Sequence, residues 1–223
     1  MSRLLSVNLA HPHSADYTSA DLTGIDKRPA DGPVAVAAPG PMGTAGSGVA
    51  GDTIGDLRDH GGDHQAVYAY AREDLDTWEK ELGRELSNGV FGENLTTSGL
   101  DVNGALVGER WRIGTDLILE VTSARIPCRT FAGWLDRKGW VRRFTEAALP
   151  GAYLRVIAPG EIQAGDVVEV VSRPDHAVTV EFLFRALTTE AGLLPRLLDA
   201  GDALNPYFTE KIHRRLAGRS RNV

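Results

Sequence analysis

Short, mostly apolar strand-like runs, separated by glycines and other turn residues, recur along the chain up to about residue 173. Runs of this length bounded by turn residues predict β-strands, and their regular succession favours a barrel or folded sheet over alternating strand–helix units. Residues 39–51 are rich in glycine, alanine, proline and serine, which predicts a loop. The predicted strands cover residues 4–9, 33–37, 65–70, 94–97, 105–107, 111–113, 117–122, 153–157 and 167–171.

Helical spacing of apolar residues appears in the middle of the chain. From Glu73 to Leu86 apolar residues recur at every third or fourth position, which predicts an amphipathic helix. Residues 131–149 carry two tryptophans and two bulky apolar residues that would cover a core, and this stretch is predicted to be helical or loop-rich.

The end of the chain changes from strand-like to helical spacing after a linker at residues 173–176. Three short helices are expected there. Thr188 or Thr189 is expected to cap the second helix, and Asn205 followed by Pro206 is expected to begin the third. We therefore predict an α+β protein with a β-barrel domain at 1–173, a three-helix domain at 177–217 and a basic tail at 218–223.

Composition and charge narrow the class of protein. The hydrophobic share of 42% and the charged share of 24% are ordinary for a soluble globular protein. The net charge of −6 argues against attraction of the whole protein to nucleic acid or an anionic membrane. The charged residues after Glu210 are all basic, which we interpret as a solvated helix end; DNA binding through the C-terminal helices is the alternative. No apolar run has the length of a membrane span or a signal peptide, and the single cysteine favours a reducing cytoplasm.

Cys128 is the single cysteine, and it has two interpretations. A free cysteine is often an inert, buried hydrophobe. Here, however, Arg125 and Arg129 lie within three residues of it and favour the thiolate, which is the nucleophile and the metal ligand. Pro127 stiffens the preceding backbone. These neighbours favour a functional thiol.

A second candidate site lies between Gly51 and Val67, where acids, histidines and a glycine pair occur together. The N–H groups of Gly61 and Gly62 can form an anion-holding nest, and His60 can contact a phosphate or carry protons. Zinc binding by His60 and His64 is disfavoured, because the glycine pair breaks the helix that would align them. The alternative is a turn rich in aspartate and glycine that is held by its own hydrogen bonds.

The third candidate is the run from Phe91 to Leu100, in which a Gly-Glu-Asn tripeptide precedes a predicted strand. Asn94 could serve a site or simply cap the strand.

Taken in order, these runs resemble a MOSC domain, the module named for the C-terminal part of molybdenum cofactor sulfurases. The similarity extends from about residue 3 to 173, and the three C-terminal helices resemble those of the bacterial subgroup linked to resistance against 6-N-hydroxylaminopurine. The matching residues are Gly51-Asp52, Asp56, Asp59-His60-Gly61-Gly62, Ala66-Val67, Phe91-Gly92-Glu93-Asn94-Leu95, Gly108, Arg125-x-Pro127-Cys128, Gly151-x-Tyr153-x-Arg155-Val156 and Gly160-x-Ile162-x-x-Gly165-Asp166.

The resemblance implies a MOSC-type β-barrel that binds the molybdenum cofactor, a pterin dithiolene carrying molybdenum and a phosphate. It implies that Cys128 ligates molybdenum or carries sulfur, and a thiolate is a suitably soft ligand. The phosphate would need cations and N–H donors. The residues expected to bind the cofactor are His60, Gly61, Gly62, Asn94, Arg125, Arg129 and Arg155. Pyridoxal phosphate is not expected, since the sulfurases bind it through a separate domain.

One position departs from the family pattern. Many members carry lysine directly after the cysteine or one residue later, whereas this chain has Arg129-Thr130. Arginine keeps the positive charge but does not release a proton near neutral pH.

The leading hypothesis is a molybdenum-dependent reductase that breaks the N–O bond of N-hydroxylated bases. Cys128 and His60 are its expected catalytic residues, and bound water is a further proton source. An external redox protein would have to supply electrons, because one thiol cannot hold an iron–sulfur cluster. The alternative is a carrier in which Cys128 holds a persulfide or the cofactor without turnover.

Overall fold

The computed structural model describes residues 1–58 and 60–219, with side chains through residue 215. Ten strands form in this part of the chain. The strands are β1 Arg3–Ala10, β2 Lys27–Pro29, β3 Val34–Val36, β4 Val67–Ala71, β5 Leu95–Ser98, β6 Arg110–Ile113, β7 Leu117–Ala124, β8 Ala152–Ala158, β9 Gly160–Ile162 and β10 Val168–Ser172.

Eight strands form one sheet in the order β10-β6-β7-β8-β4-β5-β1-β2, and β3 pairs with β9. The sheet closes because β1 also meets the chain before β10: Arg3 pairs with Val167, and the Val168 N–H donates to the Ser2 carbonyl at 3.0 Å. Closure removes the free edges that an open sheet would expose. The predicted β-rich, barrel-like α+β fold is confirmed.

The predicted strands need correction in two respects. The strand predicted at residues 105–107 forms only an isolated bridge between Leu106 and Thr179, because the backbone there turns toward the C-terminal helices. The short strands β2 and β9 were not predicted.

Three helices lie in the chain between strands: α1 Arg72–Leu82, α2 Arg129–Trp134 and α3 Trp140–Ala147. Helix α1 ends before the predicted Leu86 because Gly83 adopts a left-handed conformation with φ of 66° and donates to the Glu79 carbonyl. The three helices cover a buried cluster of aromatic rings, in which the Trp78 and Trp140 centroids lie 4.8 Å apart.

The C-terminal segment contains α4 Val180–Thr188, a 3₁₀ segment Ala191–Ala203 and α5 Pro206–Arg219. The predicted start of α5 is confirmed, because the Tyr207 N–H donates to the Asn205 side chain at 3.0 Å. Capping by Thr188 or Thr189 is wrong, since the Thr188 hydroxyl donates to the Phe184 carbonyl and Thr189 ends α4. Residues 218 and 219 of the predicted tail belong to α5, and 220–223 lie outside the described residues.

Helix α4 is joined to the barrel by backbone hydrogen bonds. The Val180 N–H donates to the Ala105 carbonyl at 3.0 Å, and the Glu181 N–H donates to the Asn103 carbonyl at 2.9 Å. Phe184 lies edge-on to Phe144 of α3. The apolar face of α4 therefore extends the core of the barrel. Among the described residues, the helices are all too short or too polar to cross a lipid bilayer.

Candidate functional site

A cavity of about 270 Å³ opens at the end of the barrel where β7 finishes and β8 begins. Its walls come from residues within 18–27 and 52–65, the turn before β5, the turn after β7, and Tyr68 and Tyr153 on β4 and β8. The lining includes six of the residues predicted for the site, which are His60, Gly61, Asn94, Arg125, Cys128 and Arg129.

Cys128 is half-buried, in the turn that joins β7 to α2. Its side chain packs partly against the core and also lines the cavity. The turn is held by a hydrogen bond from the Ala132 N–H to the Cys128 carbonyl, at 3.1 Å. The thiol is thus carried on a hydrogen-bonded turn and is accessible to a ligand in the cavity, as a functional cysteine requires.

Arg125 places a buried positive charge beside this thiol. Its guanidinium donates to the Phe91 carbonyl and lies 3.9 Å from the centre of the Phe131 ring. Within the part of the chain that the structure describes, no carboxylate forms an ion pair with Arg125. A buried charge is costly unless it is paired. Arg125 therefore suits an anionic ligand.

Two tyrosines beside Arg125 do not supply the missing negative charge. Burial raises the pKa of both Tyr68 and Tyr153, so their hydroxyls stay protonated near neutral pH. The Tyr68 hydroxyl donates to the Pro150 carbonyl at 2.8 Å. The tyrosines therefore form a neutral wall around the guanidinium.

A second buried cation, Lys27, also lines the cavity and was not predicted. Its ammonium lies 2.5 Å from both carboxylate oxygens of Asp52, and 8% and 1% of the two side chains are exposed. Asp52 also accepts from the Ala10 N–H at 2.9 Å and from the Asn94 amide at 2.8 Å. No sequence motif marks Lys27, whose side chain is buried in the folded protein beside the paired strands β1 and β2.

The side-chain amide of Asn94 makes its hydrogen bonds within the protein. Its oxygen accepts from the Tyr68 N–H at 3.2 Å, while its nitrogen donates to Asp52 and to the Asn8 carbonyl. Asn94 thus lines the cavity and also closes the start of β5, which combines the two interpretations left open by the sequence.

The predicted anion nest at Gly61 and Gly62 needs correction. The Gly62 N–H donates to the Gly46 carbonyl at 3.0 Å, and Gly62 does not line the cavity. Both glycines have positive φ, and a β-carbon on Gly62 would lie 2.5 Å from the Met42 nitrogen. The glycine pair therefore allows residues 40–46 to pack closely against this turn.

Arg155 also lies away from the cavity lining. It follows Tyr153 by two residues on β8, a rise of roughly 7 Å, and forms an ion pair with the buried carboxylate of Glu120. That partner, rather than a ligand, satisfies its charge. The prediction that Arg155 meets Cys128 in one site is not supported by this arrangement.

His60 and Arg129 lie at the cavity in different surroundings. His60 is half-buried in the loop after β3. Hydrogen bonds from Arg58 lower the pKa of nearby Asp56, and the charge of His60 adds a smaller effect in the same direction. The exposed Arg129 donates from its Nε to the Tyr17 carbonyl at 3.3 Å, which ties it to the segment covering the cavity. Its remaining guanidinium nitrogens are the part of Arg129 that can meet a ligand.

His64 does not join His60 in a metal site. It belongs to the 3₁₀ turn Asp63–Gln65 and is absent from the cavity lining. Burial, followed by the charge of Arg155, lowers the pKa of His64. Among the described residues, no group of three or more histidine, cysteine, aspartate or glutamate side chains could hold a metal ion.

Comparison with known proteins identifies relatives of this chain. A family model described as the MOSC domain matches residues 56–169, about half of the chain. The relative "Uncharacterized protein YflK" of Bacillus subtilis is 33% identical over 183 residues, covering 82% of this chain and 79% of the relative. "Protein YiiM" of Escherichia coli is 29% identical over 177 residues, covering 77% and 79%. A protein named "Reductase" from Gibberella moniliformis is 28% identical over 161 residues, covering 70% of this chain but 28% of that protein.

Solved structures extend the similarity to the C-terminal helices. The crystal structure of YiiM from Geobacillus stearothermophilus superposes with a TM-score of 0.77 at 25% identity, covering 97% of this chain and all of that one. The structure of YiiM from Escherichia coli gives a TM-score of 0.72 at 24% identity, covering 97% and 94%, and shows the shared fold.

Proposed function

Because the chain belongs to the MOSC-domain family, we propose that it binds the molybdenum cofactor in this cavity and reduces N-hydroxylated bases or related compounds. One observation carries the proposal: the Cys128 thiol and the buried, carboxylate-free guanidinium of Arg125 line the same cavity. A relative named a reductase supports the reaction class, although this chain spans less than a third of that protein.

The donor set of the cavity fits the cofactor. Cys128 offers the soft sulfur that molybdenum accepts alongside a dithiolene. Arg125 and the exposed Arg129 offer guanidinium donors to the phosphate. Because Cys128 is the one protein ligand proposed for the metal, the remaining ligands have to come with the metal, and the dithiolene of the cofactor would provide them. Pyridoxal phosphate is not part of the proposal.

The reaction needs two electrons and two protons for each N–O bond broken, and it yields an amine and water. The bound cofactor supplies the two-electron reduction of that bond. An external redox protein provides the electrons. His60 lines the cavity and is the proton donor that the sequence suggests. Arg125 and Arg129 keep their protons near neutral pH, so their role is to hold the anion.

The test compares wild type with Cys128→Ser after anaerobic purification from a host that makes the cofactor. Molybdenum and pterin are measured together, and reduction of 6-N-hydroxylaminopurine is followed with an artificial electron donor. Wild type is expected to contain both and to turn over. The variant replaces soft sulfur with hard oxygen, so its turnover should fall by about 100-fold or more while pterin is partly retained.

Thr130→Ser is the matched control, because Thr130 also lines the cavity and the change is equally small. Full turnover by Cys128→Ser with unchanged molybdenum would contradict the thiolate-ligand role. Wild type that carries molybdenum and pterin but never reduces the substrate would instead favour the carrier function.

A further inference from the structure

We propose that Lys27 is the proton donor of this site and delivers the proton that the departing hydroxyl of the substrate requires. The inference rests on the proposed function and names a residue for a step that the sequence attributes to His60 or water. It is carried by the position of Lys27 in the wall of the cavity and by the network that fixes its ammonium.

The fold holds Lys27 rigidly at the cavity. Lys27 is the first residue of β2 and pairs with Ala10 of β1. The same Ala10 donates its N–H to Asp52, so strand pairing also fixes the carboxylate that faces the ammonium. Asn94 holds the carboxylate from the start of β5. Three separate segments of the chain thus position one N–H⁺ donor in the wall that Cys128 shares.

The charges around Lys27 favour release of its proton. Burial lowers the pKa of Lys27, and the positive charge of Arg125 lowers it further. Asp52 and Glu93 oppose this effect without cancelling it. Glu93 is itself tied to backbone donors, since it accepts from the Gly89 N–H at 2.6 Å and from the Phe91 N–H at 3.0 Å. The result is a lysine that is more acidic than a lysine in water.

The chemistry of the step needs such a group. A hydroxylamine R–NH–OH takes up two electrons from the external reductant, and its N–O bond breaks. The Lys27 ammonium transfers one proton to the oxygen, which leaves as water instead of hydroxide. Solvent supplies the second proton to the nitrogen and then reprotonates the Lys27 amine. A positioned proton donor contributes about 10²–10⁴-fold to a rate of this kind.

Two substitutions separate proton donation from positive charge. Lys27→Arg keeps the charge but holds its proton, and Lys27→Met removes both. We expect both variants to retain molybdenum and pterin and to lose about 10²–10⁴-fold in kcat, with a much smaller change in KM. Lys80→Met is the matched control, because Lys80 is exposed on α1. Wild-type kcat in Lys27→Arg would overturn the proposal, since charge alone would then suffice.

A measurement on the cofactor-free protein tests the acidity independently of turnover. Competitive acylation of the lysines at a series of pH values, read by mass spectrometry, compares Lys27 with the exposed Lys80 and Lys138. Lys27 should reach half-maximal reactivity at a lower pH than both, and Asp52→Asn should lower that pH further by removing the carboxylate. A Lys27 that reacts at the same pH as the exposed lysines, or at a higher one, overturns the proposal.

The outcomes also separate this inference from the proposed function. If loaded wild type fails to reduce the N-hydroxylated substrate, the reductase function fails and the donor role fails with it. If wild type turns over and Lys27→Met turns over equally fast, the reductase stands and the donor role alone is refuted.

Discussion

Asp74 on α1 is predicted to make the stability of the protein depend on pH. Its carboxylate accepts from the Asn103 amide at 2.7 Å, yet desolvation by burial raises its pKa from 3.8 to about 6. The folded state therefore holds this proton more tightly than the unfolded chain. The contribution to the free energy of unfolding is present below pH 3.8 and is lost as pH rises to about 6. A pKa difference of about 2 corresponds to about 3 kcal/mol.

Asp74→Asn removes the titration and keeps an oxygen that can accept from Asn103. At pH 7 the variant should be up to about 3 kcal/mol more stable than wild type, whereas below pH 4 the two should be alike. Urea unfolding of the cofactor-free protein, followed by tryptophan fluorescence from below pH 4 to pH 8, measures the difference. Asp31→Asn, in an exposed turn, is the control. Equal stability of Asp74→Asn and wild type at pH 7 would refute the reasoning.

Two further predictions concern local structure. Thr179 caps α4 by accepting from the Phe182 N–H at 3.0 Å, so Thr179→Ala should lower the free energy of unfolding by about 1 kcal/mol. Thr189→Ala, at the exposed end of the helix, should change it little, and equal losses for the two variants in urea unfolding would argue against the cap. Gly62→Ala should lower the free energy of unfolding by about 1–3 kcal/mol more than Gly32→Ala does. Both glycines have positive φ, but only at Gly62 would the new β-carbon meet backbone atoms, and matching melting curves for the two variants would disprove the clash.

The sequence predicted the long strands better than the short ones. Residues 4–9 form a long, mostly apolar run, and β1 forms there as predicted. The strands β2 and β9 have three residues each and lack such a run. They exist because a partner strand offers hydrogen bonds to them, and the partner is remote in sequence. The second of the three predicted C-terminal helices is a 3₁₀ segment in the structure. Pro195 lies within it and cannot donate the backbone hydrogen bond that a regular α-helix needs there.

Site residues of an unusual type could be predicted from the sequence, whereas residues whose role depends on their neighbours in the folded protein could not. A lone cysteine between two arginines is visible in the sequence, and the structure places Cys128 and Arg125 at one cavity. Arg155 was predicted from the family motif that contains it and from its positive charge, but its partner Glu120 comes from the neighbouring strand β7. Lys27 was missed because a lysine beside arginine and proline is typical of a solvated turn.

The two buried cations of the cavity differ in whether a carboxylate pairs with them. Lys27 already has a carboxylate partner, so the network holding it is electrically balanced without a ligand. Arg125 has aromatic rings and a carbonyl as neighbours, and a ligand's negative charge would complete its surroundings. Under the two proposals made above, the bound molecules are anionic where they meet Arg125 and accept a proton where they meet Lys27. An anionic cofactor beside an N-hydroxylated substrate has this distribution of charge and basicity, which connects the proposed ligand to the proposed reaction through two separate residues.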